Sequence, residues 1–135
     1  MVVPLMTKGL DDVSPEVRYA STFVLGSIGQ PAEAAVPQLR IMLNSHRELD
    51  RTLAAWSLVK ISPTENVIQQ AIPLMIRALQ HPHEGVRREA AVLLGQIGAN
   101  NTAVREALEQ AANDEVDDVR NAAQESLSQI KSNGN

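Results

Sequence analysis

The sequence predicts an all-α fold, a right-handed α-solenoid of about four stacked antiparallel helix pairs. Three observations predict it. A similar stretch recurs four times: "VRYASTFVLGSIG" from Val17, "DRTLAAWSLVKIS" from Asp50, "VRREAAVLLGQIG" from Val86 and "VRNAAQESLSQIK" from Val119, in steps of 33, 36 and 33 residues. Within each stretch the apolar residues keep helical spacing, as with Val86, Ala90, Leu94 and Ile97 on one face of a helix. The composition is rich in Ala, Leu, Val and Gln and only 2% aromatic, which suits helices rather than sheets.

Each recurring stretch reads as the second helix of a pair. Arg18, Arg51, Arg87 and Arg120 share one column; Leu25, Leu58, Leu94 and Leu127 share another; Ile28, Ile61, Ile97 and Ile130 a third. A first helix precedes each: "VPLMTKGL" from Val3, "VPQLRIML" from Val36, "IPLMIRAL" from Ile72 and "REALEQAA" from Arg105. Pro4, Pro37 and Pro73 share a column, with Glu106 in the fourth copy. A Pro there marks the first turn or bends the helix. Units of 1–29, 30–62, 63–98 and 99–131 follow, with 132–135 expected as a disordered tail. The extra residues of the longer step fall in "SPTENVIQQA", which reads as a connector. One such pair cannot bury its apolar stripe alone, whereas stacked pairs can.

Helix ends are marked as well. Ser14-Pro15-Glu16 gives a capping hydroxyl, a Pro for the first helical position and a first-turn acid. Gly29 and Gly98 are expected to stop their helices in the left-handed conformation. Asn101 or Thr102 is expected to start the next. The fourth unit turns polar, with Glu125 in the column of Phe23, Trp56 and Val92, and Ser126 in that of Val24 and Leu93, as a terminal cap requires. The first unit has no such polar side. Self-association through that edge, or continuation of a longer array, is therefore expected.

The spacing Pro4, Asp12, Arg18 resembles the HEAT repeat. The later units read Pro37, Ser45, Arg51; Pro73, His81, Arg87; and Glu106, Asp114, Arg120. The "VRxxA…LG.IG" flavour is most similar to the HEAT-like repeats of the phycobilisome-lyase type. The resemblance implies a HEAT-like or armadillo-type superhelix whose shared residues serve stacking. Asp12 then stands near the start of the second helix, where a carboxylate meets the helix dipole, placed to pair with Arg18 or with an Arg of the next unit.

Much chemistry is excluded. There is no Cys, so neither disulfides nor thiolate chemistry. No phosphate-cradling loop, nucleophile elbow or His-Glu-x-x-His motif occurs, and no cofactor is expected. His46, His81 and His83 fall in turns. HEAT-like iron hydroxylases carry several His-Glu pairs on inner helices; here His83-Glu84 is the one pair and lies in a turn, so no metal site is expected. The net charge of −4 argues against nucleic acid, including the mode of HEAT-like glycosylases. No apolar run reaches membrane-spanning length and no signal peptide is evident, so a cytoplasmic location without a membrane partner is expected.

What remains is a binding surface. In stacked pairs the second helices line the concave face. Phe23, Trp56 and Val92 share a column there, beside the column of Tyr19, Thr52 and Arg88. Aromatic and Arg residues are typical interface anchors. The reading open against this is that Phe23 and Trp56 fill the gap between neighbouring second helices. The expected function is a non-enzymatic scaffold binding another protein or peptide through these six residues. The alternative implied by the resemblance is a bilin-lyase-like protein, with a tetrapyrrole or its carrier protein on the same face.

Overall fold

Eight α-helices and one 3₁₀ segment make up the regular structure of residues 2–133, the residues the computed structural model describes, with side chains described through 131. The first pair is α1 (Val2–Gly9) and α2 (Pro15–Ile28), the second α3 (Val36–Met42) and α4 (Glu48–Ile61). The third is α5 (Glu65–Ala78) and α6 (Glu84–Ile97), the fourth α7 (Thr102–Ala111) and α8 (Asp117–Asn133). No strand occurs among the described residues. α8 runs two residues into the segment expected as a tail, and residues 134–135 lie outside the described residues.

Local hydrogen bonding explains where helices begin. The Ser14 hydroxyl accepts the Val17 N–H and Pro15 takes the first turn of α2. Asn101 Oδ1 accepts the Val104 N–H at 3.1 Å, so Asn101 rather than Thr102 caps α7. His83 caps α6, its Nδ1 accepting the Gly85 N–H at 3.0 Å. Helix stops are less uniform than expected. Gly29 takes the left-handed region at φ 78°, but Gly98 does not, at φ −110°. Gly98 answers to space instead: a Cβ there would meet Val104 Cγ1 at 2.5 Å and the Leu94 carbonyl oxygen at 2.9 Å.

The third pair departs from the others. The segment before Pro37 is a 3₁₀ stretch, Gln30–Ala35, but the segment before Pro73 is helix from Glu65 onward, so Pro73 sits inside α5. Much of the expected connector is therefore helical. Thr64 starts it by accepting the Val67 N–H, and Val67 and Ala71 are buried at helical spacing. Pro73 has no N–H, so the Gln69 carbonyl loses its partner within the helix.

The chain forms two compact units, residues 1–71 and 72–135. In the first, α2 packs on α1 and α4, and α3 on α4. Its core holds Leu25, Leu39 and Leu58 with no exposed surface. In the second, α8 packs on α6 and α7 around Leu94, Val104, Leu108 and Val119. Each such side chain contributes roughly 1.5–3 kcal/mol on burial.

Candidate functional site

α2 and α4 position the first four predicted surface residues. Phe23 and Trp56 meet with ring centroids 5.2 Å apart and planes within 6°. They are not equivalent: Phe23 is 48% exposed and Trp56 only 6%. Gly26 creates the difference. A Cβ at Gly26 would lie within 2.8 Å of Trp56 Cε3, so only glycine leaves the ring its bed on α2. Lys60 Nζ lies 5.6 Å from the Trp56 ring centroid, on whose face a cation is attracted. Tyr19 is half-buried, with the Arg18 guanidinium 5.9 Å from its ring. Thr52 is buried and its hydroxyl donates to the Glu48 carbonyl. Arg88 and Val92 stand on α6 in the second unit, Arg88 exposed and paired with Glu89, Val92 half-buried. The structure thus brings Phe23 and Trp56 together, with Trp56 as packing and Phe23 as the presented ring.

The Arg column is structural, and its geometry differs from the expected pairing of Asp12 with Arg18 or an Arg of the following unit. Arg18 Nη1 donates to the carbonyls of Asp12 and Val13, and Arg87 Nη1 to those of His81 and Pro82. Arg51 and Arg120 likewise hold the Ser45 and Asp114 carbonyls. Each Arg therefore closes the turn that precedes its own helix. Two of them then reach forward to a carboxylate of the following unit. Arg87 holds Asp114 side-on, with bonds of 2.9 and 3.2 Å. Hydrogen bonding from Arg87 pulls the Asp114 carboxyl below the usual carboxylate range against the opposing effect of desolvation. The same contact raises Arg87.

Arg18 pairs instead with Asp50, at 3.3 Å, both buried. Asp50 does not occupy the Asp12 column; Ser45 does, and its hydroxyl donates to Asp50 at 3.2 Å. Arg18 Nη2 is buried without a partner. The Asp12 column has a second task, common to all four units. Asp12, Ser45, His81 and Asp114 each accept the N–H two residues on, from Ser14, Arg47, His83 and Val116. Asp, Ser and His all supply that acceptor. Sequence reasoning missed Asp50; a lone acid in the Val17, Val86, Val119 column was its signal.

His81 and His83 serve this turn bonding, each through its Nδ1. Glu84, in the one His-Glu pair, opens α6. Among the described residues no group of three or more His, Asp or Glu could hold a metal ion. No described helix is long and apolar enough to cross a membrane.

A family profile described as HEAT repeats matches residues 51–128, and one described as HEAT repeat matches residues 2–31. Neither carries the phycobilisome-lyase subtype. No curated protein matches the chain. Among solved structures it is similar to an engineered protein, 24% identical at TM-score 0.63, covering 98% of this chain and 63% of that one. A designed armadillo repeat protein in complex with a (KR)4 peptide is 22% identical at TM-score 0.61, over 96% of this chain and 64% of that one. Human deoxyhypusine hydroxylase in complex with glycerol is 25% identical at TM-score 0.54, over 96% of this chain and 43% of that one. The chain spans less than two thirds of the length of each of these structures. The all-helical repeats, the Arg-closed turns and a profile match over more than half the residues agree: the chain belongs to the HEAT-repeat family.

Proposed function

We propose that this chain is a non-catalytic module that binds another protein or peptide along the face of its second helices. Tyr19 and Phe23, backed by Thr52 and Trp56, would serve in the first unit, and Arg88 and Val92 in the second. The observation that carries this reading is the Phe23 ring, half-exposed yet stacked on a buried Trp56. An aromatic held rigid before contact loses little conformational freedom on binding, which is what an anchor needs. Repeat arrays offer extended surfaces of this kind, and the peptide-bound armadillo relative is an instance in a similar fold. With a net charge of −4, a basic or apolar segment is electrostatically favoured over an acidic one. The bilin alternative finds no support at this face. Trp56, the ring expected to stack on a tetrapyrrole, is 6% exposed and already stacked on Phe23.

The test uses Trp56, the single tryptophan, as reporter. Peptides selected from a displayed library against the wild type would be titrated while following its emission. Phe23→Ser is expected to weaken binding by roughly tenfold or more with helical circular dichroism intact, as for a truncated aromatic anchor. Ile41→Ser, on α3, should leave affinity unchanged. Equal affinity in wild type and Phe23→Ser would sink the proposal.

A further inference from the structure

We propose that the cleft between the α1–α2 turn and the α3–α4 turn binds the C-terminal carboxylate of another protein chain, one that ends in an apolar residue. One nitrogen carries this. Arg18 lines the cleft, and its Nη2 is buried without a hydrogen-bond partner. The rest of the guanidinium is engaged, Nη1 with the carbonyls of Asp12 and Val13 and Nε with Asp50 at 3.4 Å. A buried donor left unpaired costs free energy, so an acceptor brought from outside is bound at an advantage.

The second unit shows which acceptor fits. There the same place is lined by Leu79, His81, Arg87 and Asp114, in the columns of Leu10, Asp12, Arg18 and Ser45. Arg87 Nη2 donates to Asp114 Oδ1 at 3.2 Å. In the first unit Ser45 stands in that column, and its hydroxyl donates to Asp50 instead. The orphaned nitrogen is thus the one that takes a carboxylate oxygen in the equivalent cleft. The space beside it is a cavity of about 500 Å³, and all its lining residues lie between Leu10 and Asp50.

The surroundings suit a chain end. Arg47, exposed and 3.9 Å from Asp50, is a second cation at the cleft. α4 begins there, and its N-cap residue Arg47 makes no side-chain bond to the first turn, so the positive end of a 14-residue helix adjoins the site. Leu10, Ile41 and Met42 form an apolar wall; the columns of Ile41 and Met42 hold Gln110 and Ala111 in the second unit. A C-terminal residue offers a carboxylate and a side chain from one Cα, which matches donors set beside such a wall. Asp50 is met by Arg18, Arg47 and Ser45. Asp11 and Asp12 add negative charge at the cleft. They weigh against a doubly charged phosphate and against an acidic sequence, whereas a chain end brings its one charge whatever its sequence. Tyr19, Phe23, Thr52 and Trp56 do not line this cleft, so it is separate from the proposed peptide face.

N-acetyl-Ala-Leu with a free carboxyl, titrated into isotope-labelled protein and followed by heteronuclear NMR, should shift the Arg18 Nε–H signal and the amides of Ser45 and Arg47. Its C-terminal amide should bind roughly tenfold more weakly or worse, as loss of a charge-assisted bond requires. N-acetyl-Ala-Glu-amide, whose carboxylate is on a side chain, should also bind more weakly than the free acid, and inorganic phosphate should not displace the acid. Ser45→Asp supplies from within the carboxylate that Asp114 gives Arg87, and an Asp still accepts the turn N–H as Asp114 does. That variant should fold and lose the binding. Arg47→Gln should weaken it severalfold. Phe23→Ser should leave it unchanged, so the two proposals fail separately. Equal affinity for acid and amide, undiminished binding to Ser45→Asp, displacement by phosphate, or no shift at Arg18 up to the solubility limit would each overturn the inference. Equal binding of the side-chain acid would overturn the chain end as its source. Should Ser45→Asp not fold, the acid and amide comparison and Arg47→Gln decide.

Discussion

Arg18 and Arg87 do the same work with different carboxylates, and the difference is testable. A buried Arg stripped of its acid leaves an unpartnered charge, so Asp50→Ala should cost about 3 kcal/mol in urea unfolding. Adding Ser45→Asp should recover most of it, because column 45 corresponds to Asp114, which serves Arg87. No recovery would mean that the site requires the approach from α4. The Arg87 pair has a pH signature. Asp114 has its pKa lowered by folding, so its contribution is complete above the ordinary carboxylate range and is lost as pH falls through the lowered native value. Wild type should accordingly exceed Asp114→Asn in stability at neutral pH. The gap should close on acidification, as followed by circular dichroism at graded pH.

Between elements, the approach of α4 to α2 rests on the absence of a side chain at Gly26. Ala favours a helix by up to about 1 kcal/mol over Gly, yet a methyl there would press on a ring already stacked against Phe23. Overpacking of this kind costs roughly 1–3 kcal/mol, so Gly26→Ala should be destabilising on balance. In a Trp56→Leu background the same change should become neutral or favourable, and a double-mutant cycle of thermal midpoints would read the coupling. The fourth unit shows a different solution: Gly95 faces Ser126, whose hydroxyl donates to the Ala91 carbonyl at 2.7 Å. One glycine admits an aromatic ring, the other a hydroxyl that ties two helices.

For the molecule as a whole, the repeat, the pairing of helices and the Arg and Leu columns were legible because each is a same-column demand, renewed in every unit. Asp50 was not, since its carboxylate does a task from a column where other units keep an apolar side chain. Nor was the inequality of Phe23 and Trp56: both are large and aromatic in one column, and burial depends on which faces a glycine. The two added turns of α5 could have been read from Val67 and Ala71, had the polar neighbours Glu65, Asn66, Gln69 and Gln70 not suggested a loop. Of the candidate surface, the residue types were legible and the ring that stands exposed was not.

The main-chain half of the Arg bonding bears on how such arrays change over evolutionary time. A carbonyl oxygen is supplied by every amino acid, so no point substitution deletes the acceptors that Arg18, Arg51, Arg87 and Arg120 find in their own turns. Within this one chain the arginine is kept in all four units, while the carboxylate that meets it comes from Asp50 in one unit and from Asp114 in another. Lineages of these repeats should diverge fastest in their acids and slowest in their guanidinium groups.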